Sequence, residues 1–590
     1  MKQFYALILV LMTLMLAPTA EAQVVSRSEA EAKAAQFFTK ELQTRTAPQF
    51  EMIWDGESMA TRASSEPTFY IFNRTDGAGF VIIAGDEAAS TVLGYSLENN
   101  FGKGEMPANL RWWLEGVRST ILEARANGVV SQNEQALHAG TPVVQLSTAN
   151  WDQTDPYNRD CPTIKSGSRG LTGCVQTAAA ILCKYNRWPD HATGTAPGYT
   201  TETEKISVAG RTFGHTYNYD LMPDNYTGGS YTDEQANAVA KLMADLGVMN
   251  QADYFEGATG AYTSDLYATM TGYMRYSKQA LLAHRSGYSD TEWITMLKKE
   301  LDAGRPILYS GSSSDGGHAF ICDGYDTENL FNFNWGWSGK SNGMYDVIIV
   351  ASSQKPHLFT QGQDIIVDLV PDPEGTTTAR DLLLTSVGFT ETVTYYGMSS
   401  DATSYAVGAP FTITMPVFNW GTASYSGKIV MAHFDAEGNK KGEISNTTNI
   451  TNPITPGSGY IYTISCTITK EIERGDYAIC LFWDNKAGKW EPIRTTSDKA
   501  PDRIILMSSN PTVEDLKNAT TLSFDRTTRV LKIGTYEGTT CRLKSADGTE
   551  VKSATKGAED ISFDCSALKG KHTLEVQFEE VTPFTISLIF

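Results

Sequence analysis

The chain is poor in the residues that build metal centres and disulfide frameworks. Eight cysteines and eight histidines are spread over 590 residues, with no Cys-x-x-Cys pair and no His-x-x-x-His pair. Such spacing offers no catalytic metal site, so no metal and no cofactor are expected. The thin cysteine content also excludes a disulfide scaffold. No Gly-x-x-x-x-Gly-Lys-Ser/Thr loop is present to cradle a nucleotide phosphate. Positive charge is short as well: 48 Lys and Arg against 68 Asp and Glu leave a formal net charge of −20, which repels nucleic acid. The apolar run at 7–16 is too short to span a bilayer, and no later stretch does better. With Lys2 before that run and Ala20-Glu21-Ala22 after it, residues 1–22 read as a signal peptide cleaved before Gln23. No cysteine follows the cleavage point, so no lipoprotein is expected. The product is expected to be secreted or held at the cell surface by protein contacts, with no transmembrane segment.

What is present is a folded, multidomain composition, 41% hydrophobic and 20% charged over a length too great for one core. The stretch Gly173-Cys174-Val175-Gln176-Thr177-Ala178-Ala179-Ala180-Ile181-Leu182 organises the rest. Apolar positions 174, 178, 181, 182 and 185 follow a helical period, and Thr172 and Gly173 are candidate caps. Cys174 then sits in a first helical turn, where unpaired N–H groups and the helix dipole favour a thiolate. A small buried hydrophobe is the competing reading of this cysteine. Gly316-Gly317-His318-Ala319-Phe320 begins a second motif, with His318 lying 144 residues after Cys174, and Asn334 lies 16 residues beyond the histidine in Asn334-Trp335-Gly336-Trp337. Cysteine, then histidine and asparagine at this distance, is the order of papain-like proteases, although the local papain signature Cys-Gly-Ser-Cys-Trp is absent.

Four segments together resemble the streptopain/interpain family of secreted bacterial cysteine proteases: Trp151-Asp152-Gln153 with Pro156-Tyr157-Asn158 and Cys161-Pro162; Gly173-Cys174-Val175 through Lys184-Tyr185-Asn186-Arg187-Trp188-Pro189; the His318 motif; and the Asn334 motif. The likeness covers about the first two thirds of the chain. It implies a zymogen that hydrolyses peptide bonds in protein substrates through a Cys174 thiolate and a His318 imidazolium, with a thioacyl intermediate. Asn334 is suited to orient the imidazole. The resemblance further gives Trp335 as packing at the histidine and the Gln153 side chain, with the Cys174 N–H, as oxyanion donors. Gln153 stands 21 residues before Cys174, a spacing that departs from papain. Gly317 leaves room for substrate backbone beside the histidine. The loop holding Ala258, Gly260 and Ala261 resembles the family's pocket wall for the residue before the scissile bond; an ordinary Gly-rich turn is the alternative.

The expected fold is a multidomain one: an α+β inhibitory prodomain, an α+β papain-like cysteine protease domain and two C-terminal all-β, β-sandwich-like modules. The prodomain spans 23–125, with a capping box Ser26-x-x-Glu29 opening a helix, strands 69–73 and 80–84 around a Thr75-Asp76-Gly77 turn, a further strand near Leu93, and a helix from Pro107. Residues 126–145 read as an exposed activation linker, with Arg125 and Gly140-Thr141-Pro142 as alternative cleavage points. The protease domain follows at 146–370, helices first and strands second, including a helix over 232–247. Alternating strands then give a β-sandwich domain at 378–508 and a C-terminal β domain at 510–590. Cys183 reads as packing, while Cys466 with Cys480 and Cys541 with Cys565 are candidate disulfides. The partners expected are protein or peptide substrates and the chain's own prodomain as inhibitor. Two other readings remain at this level. One is a surface adhesin whose β modules bind a host protein or glycan. The other is a transglutaminase or amidase using the same thiol.

Overall fold

The computed structural model describes residues 24–42, 48–56, 67–104, 106, 108–127, 137–313, 316–348, 362–390 and, with short interruptions, 393–589. The expected signal peptide lies outside them. Helix α1 (Arg27–Leu42) opens with the expected box: the Ser26 N–H donates to Glu29 Oε2 at 2.7 Å and the Glu29 N–H to Ser26 Oγ at 3.3 Å. Strands β1 (Phe50–Asp55), β2 (Phe69–Arg74), β3 (Phe80–Ala84) and β4 (Val92–Ser96) follow as an antiparallel meander. Helix α2 (Ala108–Asn127) comes next. Residues 142–145, expected within an exposed linker, instead form strand β5 (Pro142–Gln145).

The following half contains α3 (Cys174–Asn186), α4 (Asp233–Met249), the hairpin β6 (Asp253–Phe255) and β7 (Ala258–Gly260), α5 (Thr263–Thr271), β8 (Leu281–His284) and α6 (Asp290–Asp302). Its strands are β9 (Ile307–Ser313), β10 (Gly316–Asp326), β11 (Phe331–Asn334), β12 (Gly343–Tyr345) and β13 (Gln363–Val367). Helix α4 has the Thr232/Gln235 capping box, which fixes its start.

One 11-stranded sheet runs through both halves in the order β1-β2-β3-β4-β12-β11-β10-β9-β13-β8, with β5 beside β10. The join is β4 on β12, Tyr95 opposite Met344 and Gly94 opposite Tyr345. The expected prodomain is therefore continuous with the catalytic sheet. Side-chain alternation along β10 divides two cores. Ala319 and Ile321 pack with Val175, Ala178 and Leu182 of α3, while Phe320 and Cys322 pack with Trp112 and Trp113 of α2. A Tyr95 Oη–Asp326 Oδ2 hydrogen bond at 2.7 Å adds a polar tie between the halves. The two cleavage candidates are both held. Arg125 pairs with Asp86 at 2.8 Å, and Gly140 packs so closely on Asp326 that no side chain would fit.

From Leu383 on, the elements whose bounds fall among the described residues are strands. A five-stranded sheet built on β14 (Leu383–Thr385), β15 (Pro410–Asn419) and β17 (Gly459–Thr467) faces a six-stranded one built on β16 (Lys428–Phe434), β18 (Tyr477–Asp484) and β19 (Lys489–Pro492). The short strands β20 (Arg494–Thr495) and β21 (Arg503–Ile505) belong to the first and the second of these sheets respectively. Ile413, Met415 and Val417 from one sheet and Ile429, Met431 and Phe482 from the other form one core. Two further sheets over 521–589 share a separate core. All eight cysteines are free thiols, which corrects the disulfide expectation. Cys466 pairs in register with Phe411 and Cys480 with Met431, so the two lie in different sheets.

Trp113 is fully buried, 4.8 Å from the Tyr345 ring and donating its indole N–H to Asp346 O. Trp113→Ala should destabilise the intact chain by about 3–5 kcal/mol. Chemical denaturation of a Cys174→Ala background is the check, and an unchanged midpoint contradicts this packing.

Candidate active site

Helix α3 starts at Cys174 because Gly173 breaks into it with φ 86° and ψ 149°. A Cβ there would lie 2.7 Å from Gln176 Oε1 and 2.9 Å from Thr259 O, so both backbone and space require glycine. Gly173 caps without a side-chain bond. The other expected cap, Thr172, instead shares a 2.8 Å hydrogen bond with Thr177, whose hydroxyl donates to Gly173 O. The buried Ala178–Cys183 face anchors the helix behind the sulfur.

Strand β10 meets this helix start. The Ala319 N–H donates to Cys174 Sγ at 3.4 Å, which brings the residue after His318 to the sulfur. Gln153 comes in from the other side: its carbonyl accepts the Thr172 N–H at 3.1 Å. The 21-residue interval that departed from papain spacing is thus closed by a backbone bond two residues from Cys174. Asp152 braces this turn, accepting from Gln153 N–H at 2.6 Å and from Ser338 Oγ at 2.7 Å.

A cleft of about 1970 Å³ opens over these groups, lined by Cys174, Gln153, His318, Ala258, Gly260, Ala261 and Trp337. The Thr259 hydroxyl fixes the β7 wall by donating to Leu171 O at 2.8 Å. Gly317 pairs with Ser312, one residue before His318. Asn334 is buried opposite Ile321 in the β10–β11 register. Its amide donates to Thr148 Oγ1 and Ala149 O, both at 2.9 Å, and its oxygen accepts from the Gly336 N–H at 3.1 Å. Thr148 also bonds Asp323, whose carboxyl is pushed up to about 6 by burial. Trp335 lies in the core between Phe320, Phe333 and Tyr345, not in the cleft. Of the two motif tryptophans, the one that lines the cleft is Trp337, with the Lys340 ammonium 5.1 Å from its ring. Its partial exposure follows from the positive-φ turn at Gly336, which its position beside a glycine could have suggested.

The same end of β10 carries α2. Asn109 Nδ2 donates to Ala319 O at 3.2 Å and to Trp335 O at 2.8 Å. Trp112 lies over Gly311 so closely that no side chain would fit, and Gly311 is the register partner of His318. Alternation puts His318 on the side of Phe320, the face that Trp112 covers. Among the described residues, no group of three or more His, Cys, Asp or Glu is placed to hold a metal ion.

The helix start alone suggests a stabilised thiolate. In this arrangement burial dominates and pushes the Cys174 thiol up, with the Ala319, Val175 and Cys174 N–H groups offsetting it in part. A raised thiol stays protonated at neutral pH. Alkylation of Cys174 in the intact chain should therefore accelerate about tenfold per pH unit up to pH 9. A rate already flat between pH 6 and 8 contradicts this.

The geometry accords with what the chain is similar to. Residues 151–345 match the Peptidase C10 family, and residues 22–121 match the Spi protease inhibitor family. Thiol protease/hemagglutinin PrtT of Porphyromonas gingivalis is 28% identical over 484 residues, 76% of this chain and 51% of PrtT. This chain thus spans about half the length of that relative. Streptopain of Streptococcus pyogenes is 28% identical over 305 residues, 48% of this chain and 74% of streptopain. A solved fragment of Prevotella intermedia prointerpain A is 30% identical with a TM-score of 0.47, covering 55% of this chain and matched over its whole length. The cysteine, histidine and asparagine motifs all fall within the matched span, and the chain belongs to the Peptidase C10 family.

Proposed function

We propose that this chain is an exported cysteine endopeptidase made as an inactive precursor, with a papain-like catalytic domain and two β-sandwich-like C-terminal modules. One observation carries the reading: the hydrogen bond from the Ala319 N–H to Cys174 Sγ, which ties the strand of His318 to the start of the cysteine helix. In the mature state His318 takes the Cys174 proton, and the thiolate attacks the substrate carbonyl carbon. The oxyanion accepts hydrogen bonds from the Cys174 N–H and the Gln153 amide. The C–N bond breaks as the imidazolium protonates the leaving amine, giving a thioacyl enzyme. Water, deprotonated by His318, then releases the acid and restores the thiol. Asn334 orients the imidazole through Oδ1, which keeps one acceptor position beyond its bond from Gly336.

Inhibition follows from the first 125 residues. Asn109 holds the carbonyl of Ala319 and Trp112 occupies the space over Gly311, so the histidine strand is fixed in a resting position while the thiol stays protonated. Removal of the prodomain frees both.

A second reading concerns binding. The match to PrtT, a relative named as both protease and hemagglutinin, is longer than the two family matches combined and so extends into the C-terminal half. Phe389, Tyr396, Trp420 and Tyr460 are exposed there. On this reading the β modules attach the enzyme to a host protein or glycan. Agglutination of erythrocytes by the full-length Cys174→Ala variant supports it, and absence of both agglutination and glycan binding removes it.

For the peptidase, Cys174→Ala should abolish peptide hydrolysis and self-processing while leaving the melting temperature intact. Gln153→Ala should lower kcat about 100–1,000-fold. N-terminal sequencing after incubation, with and without a thiol alkylator, reports the maturation. Thiol-dependent cleavage by the Cys174→Ala protein would refute the assignment.

A further inference from the structure

The cleft does not end at the catalytic half. From the sulfur it follows one row of the sheet: Ala319 is paired with Ser310, Ser310 with Asp364, and Asp364 with His284. Ser310, Asp364 and His284 all line the cleft. Their row leads across β9 and β13 to the edge strand β8. The 3-10 turn Arg285–Gly287 follows β8 directly, and there the first C-terminal module is bolted on. Arg494 donates to Gly287 O at 2.8 Å and to Glu292 Oε1 at 2.7 Å, and Arg503 donates to the same Gly287 carbonyl at 2.8 Å. The Arg494 guanidinium also lies 4.7 Å from the Tyr288 ring centre. These guanidinium groups are largely shielded from solvent and hold the Glu292 carboxyl below its usual range, although burial alone would raise it. Such charge-assisted contacts, from one guanidinium to two different acceptors, fix orientation. A second tie pairs Arg380 with Asp368, just beyond β13, at 3.4 Å.

So fixed, the module turns part of its surface into the cleft. Trp420, Lys489, Glu491 and Arg494 line the same cavity as Cys174. Trp420 is 53% exposed, and its backbone is held by the Leu382 carbonyl at 2.9 Å. We propose that the first β module forms the far wall of the substrate cleft and that Trp420 grips an extended polypeptide substrate well away from the scissile bond. This rests on the peptidase reading. Three strand steps of about 4.8 Å separate β10 from β8, and the module begins beyond that edge. An extended chain advances about 3.3 Å per residue, so contact requires a substrate reaching about five residues or more from the cleaved bond. The occupant is an unfolded or extended polypeptide with an apolar side chain at that distance, because a half-exposed indole gains most from covering apolar surface.

The test compares a short quenched peptide, two residues either side of the bond, with versions extended by eight residues on the N-terminal or the C-terminal side. The enzyme is the full chain after its own maturation, with retention of the module checked by mass. In the unsubstituted enzyme, kcat/KM should rise with one of the extensions, mainly through KM. Trp420→Ala should cut the long-to-short ratio by about fivefold to tenfold, and Arg494→Ala, which releases the wall, should cut it too. Absence of any gain on extension overturns the proposal, as does an undiminished ratio in Trp420→Ala or loss of the module with the ratio unchanged. Failure to cleave even the short peptide in an alkylator-sensitive way would instead sink the peptidase reading beneath it.

Discussion

Ala319 is the hinge of the molecule. Its N–H reaches the sulfur of Cys174 and its carbonyl is taken by Asn109. A strand residue has one donor and one acceptor, and a buried group must pair both. At Ala319 one goes to the candidate nucleophile and the other to the segment that covers it. The backbone of the neighbouring residue, His318, is held in place by these bonds. On the proposed reading, latency and chemistry are coupled through the backbone of this one residue.

Burial supplies the other half of the constraint. The start of α3 offers N–H groups that favour an anion, yet desolvation outweighs them and lifts the thiol. The sheet explains why the cover is firm. β4 pairs with β12, and Trp112, Trp113, Phe320, Phe333 and Tyr345 share one core. Releasing the prodomain therefore exposes aromatic surface and a strand edge, at a cost far above that of opening a loop. The close pairing of residues 142–145 with β10 extends this hold beyond the expected domain boundary.

Much of this was legible in the sequence where the signal is local. The period of 174–185, the capping box at Ser26, the apolar face of the helix over 232–247 and the Thr75-Asp76-Gly77 turn each specify an element from neighbours within a few residues. The cysteine, histidine and asparagine motifs marked three segments that the fold brings around one cleft. What stayed hidden is non-local. No period announces that β4 will pair with β12 across some 250 residues, since edge pairing depends on what else is available in three dimensions. Cys466 and Cys480 sit in successive long strands, but those strands enter opposite sheets. Trp335 and Trp337 have identical local claims, and only the turn at Gly336 sends the first into the core and the second into the cleft. The thiol's raised titration was unreadable because burial is a property of the assembled fold.

The central claim is that a sulfur anion on α3 and an imidazolium on β10 act together once α2 is gone. The most direct measurement is the position of the His318 ring in a crystal structure of the matured full chain. The account predicts a ring nitrogen within about 3–4 Å of Cys174 Sγ, with the Asn109 and Trp112 contacts absent. A ring still on the Phe320 side, in protein that hydrolyses peptides at full rate, would contradict it.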